Sequence, residues 1–282
     1  MGKPVPACDL FLYEEVRPLK AVVFVKQTPD SAATMSVKDG KADWGDAPLV
    51  VNPWDEYAVE EAIRLKENLN GSAVALLMGG DSGKEALKTC LAMGCDEAIL
   101  LSDDLMQGSD ALGTARVLAA AVRKQGDVDV AIFGKQAIDG DTGFVPMAVA
   151  RLLGWSPLSY VFKIVAIDPA AKTITVERLL EEGKQIVTAS LPAVISVVKD
   201  INEPRYPSFM GIRRASKATI PVWTAADLGL SAVEIGAEAA KVVWGEVRPL
   251  PVRTGAVEII TGNSPEEIAN TLLDKLIAEK VL

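Results

Sequence analysis

Short apolar runs alternate with amphipathic segments over the first half of the chain. The run AVVFVK at 21–26 is almost wholly apolar, which predicts a strand buried in a sheet. Residues 55–68 repeat apolar side chains at helical spacing, with Ala58, Ala62 and Leu65 on one face, and predict a helix. The same alternation predicts further strands at 72–78, 97–101 and 128–133 and helices at 82–93, 109–125 and 143–153.

Four strand–helix units in series are typical of a parallel sheet with right-handed crossovers and helices on both faces. Asp55, Ser109 and Thr142 stand where three of the helices start, and we expect them to cap those helices. Sheets of this kind bind ligands at the carboxyl ends of their strands. Three loops are predicted at that edge, namely 52–55, 78–83 and 134–145.

The pattern changes after Gly154 to a period of two. This period predicts antiparallel strands at 161–167, 173–179 and 185–190, followed by a strand at 193–198. Asp39-Gly40 predicts a hairpin within 37–44. Residues 202–217 are basic and irregular, and Ser264-Pro265 with Glu267 predicts a helix start. That last helix is predicted to run to about 280 with an apolar stripe.

Composition and charge exclude several kinds of function. The 282 residues include 38 acidic and 29 basic side chains, and a net charge of -9 disfavours nucleic-acid binding. The chain has no histidine, which removes the usual base or ligand of hydrolases and zinc enzymes. Cys8, Cys90 and Cys95 lack zinc-site spacing, so we expect reduced, mostly buried thiols and no metal site.

No segment reads as a membrane span or a secretory signal. The longest stretch without a charge, 185–198, is too short and too polar to cross a bilayer. Residues 1–20 contain no apolar signal core, so we expect a cytoplasmic protein.

Three loop motifs are candidates for ligand binding. GKQAIDGDTGFV at 134–145 lies between a buried strand and a helix, where backbone N–H groups can face a phosphate. We expect Asp139 and Asp141 to hold this loop by accepting backbone hydrogen bonds, and a plain strand-to-helix turn stays an alternative. MGGDSG at 78–83 is better explained as a tight turn with a helix cap than as a phosphate loop. NPWD at 52–55 is primarily a helix start, although Asn52 would lie at the site edge.

A longer pattern carries a family resemblance. VERLLEEGKQIVTASLPAVIS at 176–196 resembles the signature of the electron transfer flavoprotein beta subunit. Similar blocks follow the family's order: VKQTPD at 25–30, NPWDEYAVEEAIRLKE at 52–67, GKQAIDGDT at 134–142 and NEPRYPSFMGIRRASK at 202–217. The resemblance runs from about residue 21 to the C-terminus and leaves 1–20 as an extension.

The resemblance implies a fold and a division of the chain. The fold is α/β, a parallel-sheet, adenine-nucleotide-binding, Rossmann-like domain with an antiparallel β extension and a C-terminal helical arm. The division is an extension at 1–20, the nucleotide-binding domain at 21–200, a partner-recognition loop at 201–220 and an arm at 221–282 that packs on the alpha subunit.

The resemblance also implies site residues. Those expected to bind the nucleotide are Phe24, Asn52, Pro53, Trp54, Asp55, Met78, Gly134, Gln136, Ala137, Ile138, Asp139, Gly140, Asp141, Thr142, Gly143, Phe144 and Val145. Those expected to bind a partner are Glu203, Arg205, Phe209 and Met210, with Phe209 as the anchor and Arg205, Arg213, Arg214 and Lys217 attracting an acidic partner. No catalytic residue is implied.

The function implied is that of an electron carrier subunit. An alpha subunit would supply an electron-transferring FAD, and the redox partners would be acyl-CoA-type dehydrogenases or quinone oxidoreductases. The beta site holds AMP in simple carriers and FAD in bifurcating members, which take a hydride from NADH. Gly140, Asp141, Thr142 and Val145 follow the bifurcating form and Phe144 departs from it, so we favour FAD. A stand-alone ATP-binding regulator remains an alternative, but it would leave 161–198 and the C-terminal arm without a role.

Overall fold

The computed structural model describes residues 18–251, 255 and 257–282. Cys8 and the first seventeen residues of the expected N-terminal extension lie outside this range. The described chain divides into two units. The larger contains the described residues up to Met35 together with Trp44–Gly245, and the smaller contains Ser36–Asp43 with the described part of Glu246–Leu282.

The helices and strands follow one another in an α/β pattern. The strands are β1 (Lys20–Val25), β2 (Gln27–Pro29), β3 (Ser36–Lys38), β4 (Lys41–Asp43), β5 (Leu49–Val51), β6 (Ser72–Met78), β7 (Glu97–Leu101), β8 (Val130–Gly134), β9 (Ser156–Asp168), β10 (Thr173–Leu180), β11 (Gly183–Ser190), β12 (Ala193–Val197) and β13 (Val222–Trp223). The helices are α1 (Pro53–Leu69), α2 (Gly83–Met93), α3 (Ala111–Gln125), α4 (Val145–Leu153), α5 (Phe209–Ala215), α6 (Gly236–Ala239) and α7 (Pro265–Ala278). Among the described residues, no helix is long and apolar enough to cross a bilayer.

Nine strands of the described chain form one sheet in the order β11-β10-β9-β12-β8-β1-β6-β7-β13. Along the sheet, every pair of neighbouring strands from β9 through β12, β8, β1, β6 and β7 to β13 is parallel. At the other end of the sheet, β10 pairs antiparallel with both β9 and β11. The chain runs outward from β1 through β6 to β7, and then returns to place β8 on the other side of β1. The order therefore reverses between β1 and β8, and such a reversal opens a crevice where open α/β sheets bind ligands.

Alternate residues of the central strands pack on opposite faces of the sheet. In β1, Ala21, Val23 and Val25 join the core under α1 and α2, while Val22 and Phe24 join the core under α3 and α4. Both faces are therefore covered, which explains why these strands read as continuous apolar runs. The α/β expectation, with a largely parallel sheet and an antiparallel extension, is confirmed.

The caps expected for α1, α3 and α4 are wrong. Asn52 holds the N-cap position of α1, and Asp55 lies inside its first turn. Asp110, not Ser109, caps α3 by accepting a hydrogen bond from the Gly113 N–H. The N-cap position of α4 belongs to Phe144, so Thr142 caps nothing. Asp55 bonds more distant partners, while Ser109 and Thr142 lie two and three residues before the first residue of their helices.

The segment expected to be irregular contains a helix. Residues 209–215 form α5, which Ser208 caps through a hydrogen bond from the Gly211 N–H to its Oγ. A Cβ at Gly211 would lie 2.2 Å from the Ala92 carbonyl oxygen, so the glycine lets α5 pack directly on α2.

The smaller unit contains the predicted hairpin and the last helix. β3 and β4 are joined by Asp39 and Gly40, both at positive φ, as the Asp-Gly pair predicts. Ser264 Oγ accepts from the Glu267 N–H at 3.2 Å and caps α7 as expected. No residue of α7 is buried by the described chain. In its apolar stripe, Leu276 is partly buried, while four residues are exposed, namely Ile268, Leu272, Leu273 and Ile277.

Candidate functional site

A cleft of about 720 Å³ lies at the carboxyl ends of β1, β6, β7 and β8, all within the larger unit. Phe24 and Phe133 stand on adjacent strands at the point where the strand order reverses. Their rings stack with centroids 4.6 Å apart and planes 18° from parallel. Together they give the cleft a flat apolar wall at the reversal point.

Asp55 ties the two strands at the reversal point together. One carboxylate oxygen accepts a hydrogen bond from the Lys26 N–H at 2.8 Å, and the other accepts from the Gly134 N–H at 3.2 Å. These N–H groups follow β1 and end β8, where the strands diverge. Burial raises the pKa of Asp55 to about 7, against the opposing effect of these hydrogen bonds. The side chain therefore has a structural task at the base of the cleft.

Asn52 organises the loop that follows β8. The buried side chain donates from Nδ2 to the Gln136 carbonyl oxygen at 2.9 Å, and its Oδ1 accepts from the Ile138 N–H at 3.2 Å. The start of α1 thus holds residues 136–138 by two long-range hydrogen bonds. This explains why NPWD and GKQAIDGDT form one site although about 80 residues separate them.

Asp139 and Asp141 hold the same loop, but not in the expected way. Asp139 pairs with the Lys26 ammonium at 2.7 Å, and Asp141 accepts from the Gln136 side-chain amide. Their carboxylates thus bond side chains rather than the backbone N–H groups that the sequence suggested. Asp141 itself adopts a positive φ of 53°.

The three glycines of this loop differ in what surrounds them. A Cβ on Gly134 would lie 2.4 Å from Asp55 Oδ1 and 2.6 Å from the Trp54 carbonyl carbon, so only glycine fits there. A Cβ on Gly140 would meet nothing closer than the Trp244 ring at 3.9 Å. Gly143 has φ +58° and its nearest neighbour at 3.5 Å. Gly140 therefore leaves open space that packing within the described chain does not require.

Most of the residues expected to bind a nucleotide line this cleft. They are Phe24, Asn52, Asp55, Met78, Gly134, Gln136, Ala137, Gly140, Asp141, Thr142, Gly143, Phe144 and Val145. Pro53, Trp54, Ile138 and Asp139 do not line it. Pro53 is the first residue of α1, and the Lys135 ammonium lies 5.3 Å from the centre of the Trp54 ring.

Sequence reasoning missed one wall of the cleft. Residues 101–111, which link β7 to α3, contribute Ser102, Asp103, Gln107 and Asp110 to the lining. This is the fourth strand-to-helix loop at the same edge. Because ligands bind at the carboxyl ends of parallel strands, the principle that predicted the other three loops also predicts this one. Trp244 and Thr224 complete the lining from far along the chain, and no local pattern points to them.

The tight turn expected after β6 is confirmed, but the expected helix cap is wrong, because Ser82 holds the N-cap position of α2 without a side-chain hydrogen bond to the helix. The Gly83 N–H donates to the Gly80 carbonyl oxygen at 3.0 Å, which closes a tight turn ahead of α2. Ser82 exchanges two hydrogen bonds with Gln27, at 2.9 and 3.0 Å, and so ties this turn to β2. Among the described residues, no group of three or more His, Cys, Asp or Glu is placed to hold a metal.

The segment expected to recognise a partner is anchored by Arg205. Its guanidinium bonds both carboxylate oxygens of Glu60 and both of Glu67, at 2.7–3.1 Å. Arg205 thus fixes the segment on α1, and its charge is already matched within the chain. Glu203 is exposed, and Phe209 and Met210 expose 80% and 68% of their surfaces.

Comparisons with known proteins agree on a family. A family model described as "Electron transfer flavoprotein domain" matches residues 45–228. The chain is 36% identical to Protein FixA of Azotobacter vinelandii over 269 residues, 93% of this chain and 95% of that protein. It is 36% identical to the caffeyl-CoA reductase-Etf complex subunit CarD of Acetobacterium woodii, over 94% of this chain and all of CarD. It is 37% identical to the electron transfer flavoprotein subunit beta of Mycobacterium tuberculosis, over 93% and 98% of the two chains.

Proposed function

The chain belongs to the electron transfer flavoprotein beta-subunit family, and from that premise we propose that its cleft binds FAD, as in a bifurcating electron transfer flavoprotein. The membership itself makes the chain an electron-transfer subunit. The identity of the nucleotide, the NADH donor and the redox partners belong to the proposal.

The open backbone at Gly140 is the observation that carries the choice of FAD. A dinucleotide needs space for two phosphates, and a side chain at this position would reduce that space. The cleft also spans four strand ends, from the Phe24–Phe133 wall to the loop after β7. Its residues fit FAD because apolar walls suit planar rings and a loop held by Asn52 presents backbone groups to phosphates.

Four residues of the site position other parts of it. Asn52 and Asp55 hold the loop and the strand ends in place, and the Asp139–Lys26 pair closes the loop against β1. Phe24 and Phe133 exclude water from one wall. FAD, when bound, supplies hydride acceptance and electron transfer, which explains why no side-chain nucleophile is needed.

AMP as a structural ligand is the competing occupant. Phe144 supports it, because this half-exposed ring lines the cleft where bifurcating relatives often have glutamine. The deciding experiment purifies the complex of this chain with its alpha subunit gently, with FAD present, and measures flavin and adenylate per heterodimer. Two flavins and no AMP support the proposal, while one flavin and one AMP refute it.

The proposal includes two kinds of protein partner. An alpha subunit would cover the open stripe of α7, since an apolar face of this kind is normally buried against another surface. A redox partner would dock on the exposed Phe209 and Met210, which Arg205 holds in place through α1. The relative CarD is a subunit of a caffeyl-CoA reductase-Etf complex, which supports an acyl-CoA-type dehydrogenase over a quinone oxidoreductase as the redox partner here.

A further inference from the structure

Residues 224–244, here called the strap, run along the β7 side of the cleft. Asp103 Oδ2 accepts a hydrogen bond from the Ala225 N–H at 3.0 Å. The Arg116 guanidinium donates to the Glu234 carbonyl oxygen at 2.6 Å, and Ser109 Oγ accepts from the Gly236 N–H at 2.8 Å. The strap is therefore fixed at several points to the loop and helix that follow β7.

Two glycines set how closely the strap approaches. A Cβ on Gly236 would lie 2.3 Å from the Leu105 carbonyl oxygen, and one on Gly108 would lie 2.8 Å from the Ala237 Cβ. Both glycines have positive φ, at 82° and 72°. The Ala237 N–H completes this contact by donating to the Gln107 carbonyl oxygen at 3.0 Å. Backbone lies directly on backbone here, so the position of the strap is closely defined.

The last anchor lies two residues before Trp244. Asp110 uses Oδ1 to cap α3 and uses Oδ2 to accept from the Lys241 N–H at 2.7 Å and the Val242 N–H at 3.3 Å. These backbone hydrogen bonds hold the pKa of Asp110 below its usual range, so the carboxylate stays charged. A single side chain thus joins the cleft wall to the end of the strap.

The anchored strap places the Trp244 side chain at the cleft. It lines the cleft and exposes 75% of its surface. Its Cζ2 would lie 3.9 Å from a Cβ at Gly140, so the indole stands across from the open backbone of the loop. A large aromatic ring, held at the rim of a cleft and left uncovered, is suited to stacking on a planar ligand group.

We propose that Trp244 stacks on the isoalloxazine ring of FAD and so selects FAD over AMP. The inference rests on the proposed function and deepens it. AMP lacks a ring system on the far side of its phosphate, whereas FAD carries one. The strap, anchored by Asp110, is the element that positions Trp244 for this contact.

The test measures nucleotide binding to the full-length heterodimer. Trp244→Ala should weaken FAD retention at the beta site by about 5- to 150-fold, which is the range that stacking of one ring on an aromatic side chain provides. Affinity for AMP should stay within about twofold. Trp244→Phe keeps a stacking ring and should recover most of the FAD affinity.

Two further measurements separate stacking from a structural role. Thermal unfolding of Trp244→Ala without nucleotide should match the wild type, because the side chain is mostly exposed. FAD should quench a component of tryptophan emission that Trp244→Phe lacks, and AMP should not. Asp110→Ser keeps a helix cap but loses the oxygen that anchors the strap, so it should reduce both FAD affinity and this quenching.

The outcomes distinguish the inference from the proposed function. Equal FAD affinity in the wild type and Trp244→Ala would overturn the role of Trp244 and leave the FAD site standing. Equal loss of AMP and FAD affinity would also overturn it, because the ring would then serve the cleft in general. A wild-type heterodimer that binds no second FAD would refute the proposed function itself.

Discussion

Gly134→Ala should destabilise the chain far more than the same change at Gly140, because only Gly134 lacks room for a methyl group. A methyl at Gly134 would meet Asp55 Oδ1 at 2.4 Å and the Trp54 carbonyl carbon and oxygen at 2.6 and 2.7 Å. None of these atoms is the free end of a flexible side chain. The first turn of α1 must therefore move away, and the hydrogen bond from the Gly134 N–H to Asp55 is stretched or lost.

The magnitude follows from these two effects. Overpacking a tight interior typically costs about 1–3 kcal/mol. A buried N–H left without its acceptor costs about 1–3 kcal/mol more. Alanine also lowers the conformational entropy of the unfolded chain, which raises the free energy of unfolding by about 0.4–1 kcal/mol. We expect Gly134→Ala to lower the free energy of unfolding by about 2–4 kcal/mol.

Gly140→Ala is the matched control, because its methyl would have its nearest neighbour at 3.9 Å. It should leave the free energy of unfolding unchanged or raise it by up to about 1 kcal/mol, because alanine restricts the unfolded chain and Gly140 does not have a positive φ. If the proposed FAD site is right, the same control should nevertheless lose nucleotide. Urea denaturation of nucleotide-free protein measures stability, and flavin content measures retention. Equal stability of the two variants would refute the steric reasoning.

Three further predictions concern the pKa of Asp55, the partner segment and α7. Burial raises the pKa of Asp55 from 3.8 to about 7, so the fold favours the neutral carboxyl and this contribution is lost as pH rises from about 4 to 7. A shift of one pKa unit corresponds to about 1.36 kcal/mol. Over that pH range, the free energy of unfolding should therefore fall by up to about 4 kcal/mol more in the wild type than in Asp55→Asn. Equal pH slopes of the two proteins in urea denaturation would contradict this. Phe209→Ala should slow electron delivery to the partner in a reduction assay, and Arg205→Lys should slow it too, because it releases the segment from α1. The nucleotide content of both variants should be unchanged. Normal partner reduction by Phe209→Ala would exclude the role of Phe209 as anchor. Deleting 264–282 should lower the yield of co-purified alpha subunit, and full recovery would show that α7 is not the contact.

The sheet could be predicted well because its strands are buried on both faces. The strand at 72–78 matches β6 to the residue, since an uninterrupted apolar run has sharp ends. Helix starts were harder because polar residues near them have competing partners. Asp55 looks like a cap, yet its partners are Lys26 and Gly134, the second of which lies 79 positions away.

The strap shows where local patterns stop being informative. Its anchors join residues 118 to 132 positions apart, from the Arg116–Glu234 hydrogen bond to the Asp110–Val242 hydrogen bond. Its backbone is mostly irregular, so it has no periodicity to detect. The sequence pattern therefore could not predict that Trp244 lines the cleft. The other side of the cleft could be predicted, because it is formed by loops that follow the strands.

The spread of the cleft walls along the chain has a consequence for biosynthesis. Phe24 and Trp244 border the same cleft although they are synthesised at different times. Likewise, β1 can pair with β8, its second neighbour in the sheet, only after β8 has been synthesised. At translation rates of about 5–20 residues per second, roughly 10 to 45 seconds separate the emergence of these two walls from the ribosome. A ligand that needs both walls can be captured only after Trp244 has left the ribosome. Until then, the crevice beside β1 and β8 lacks the wall that the strap provides.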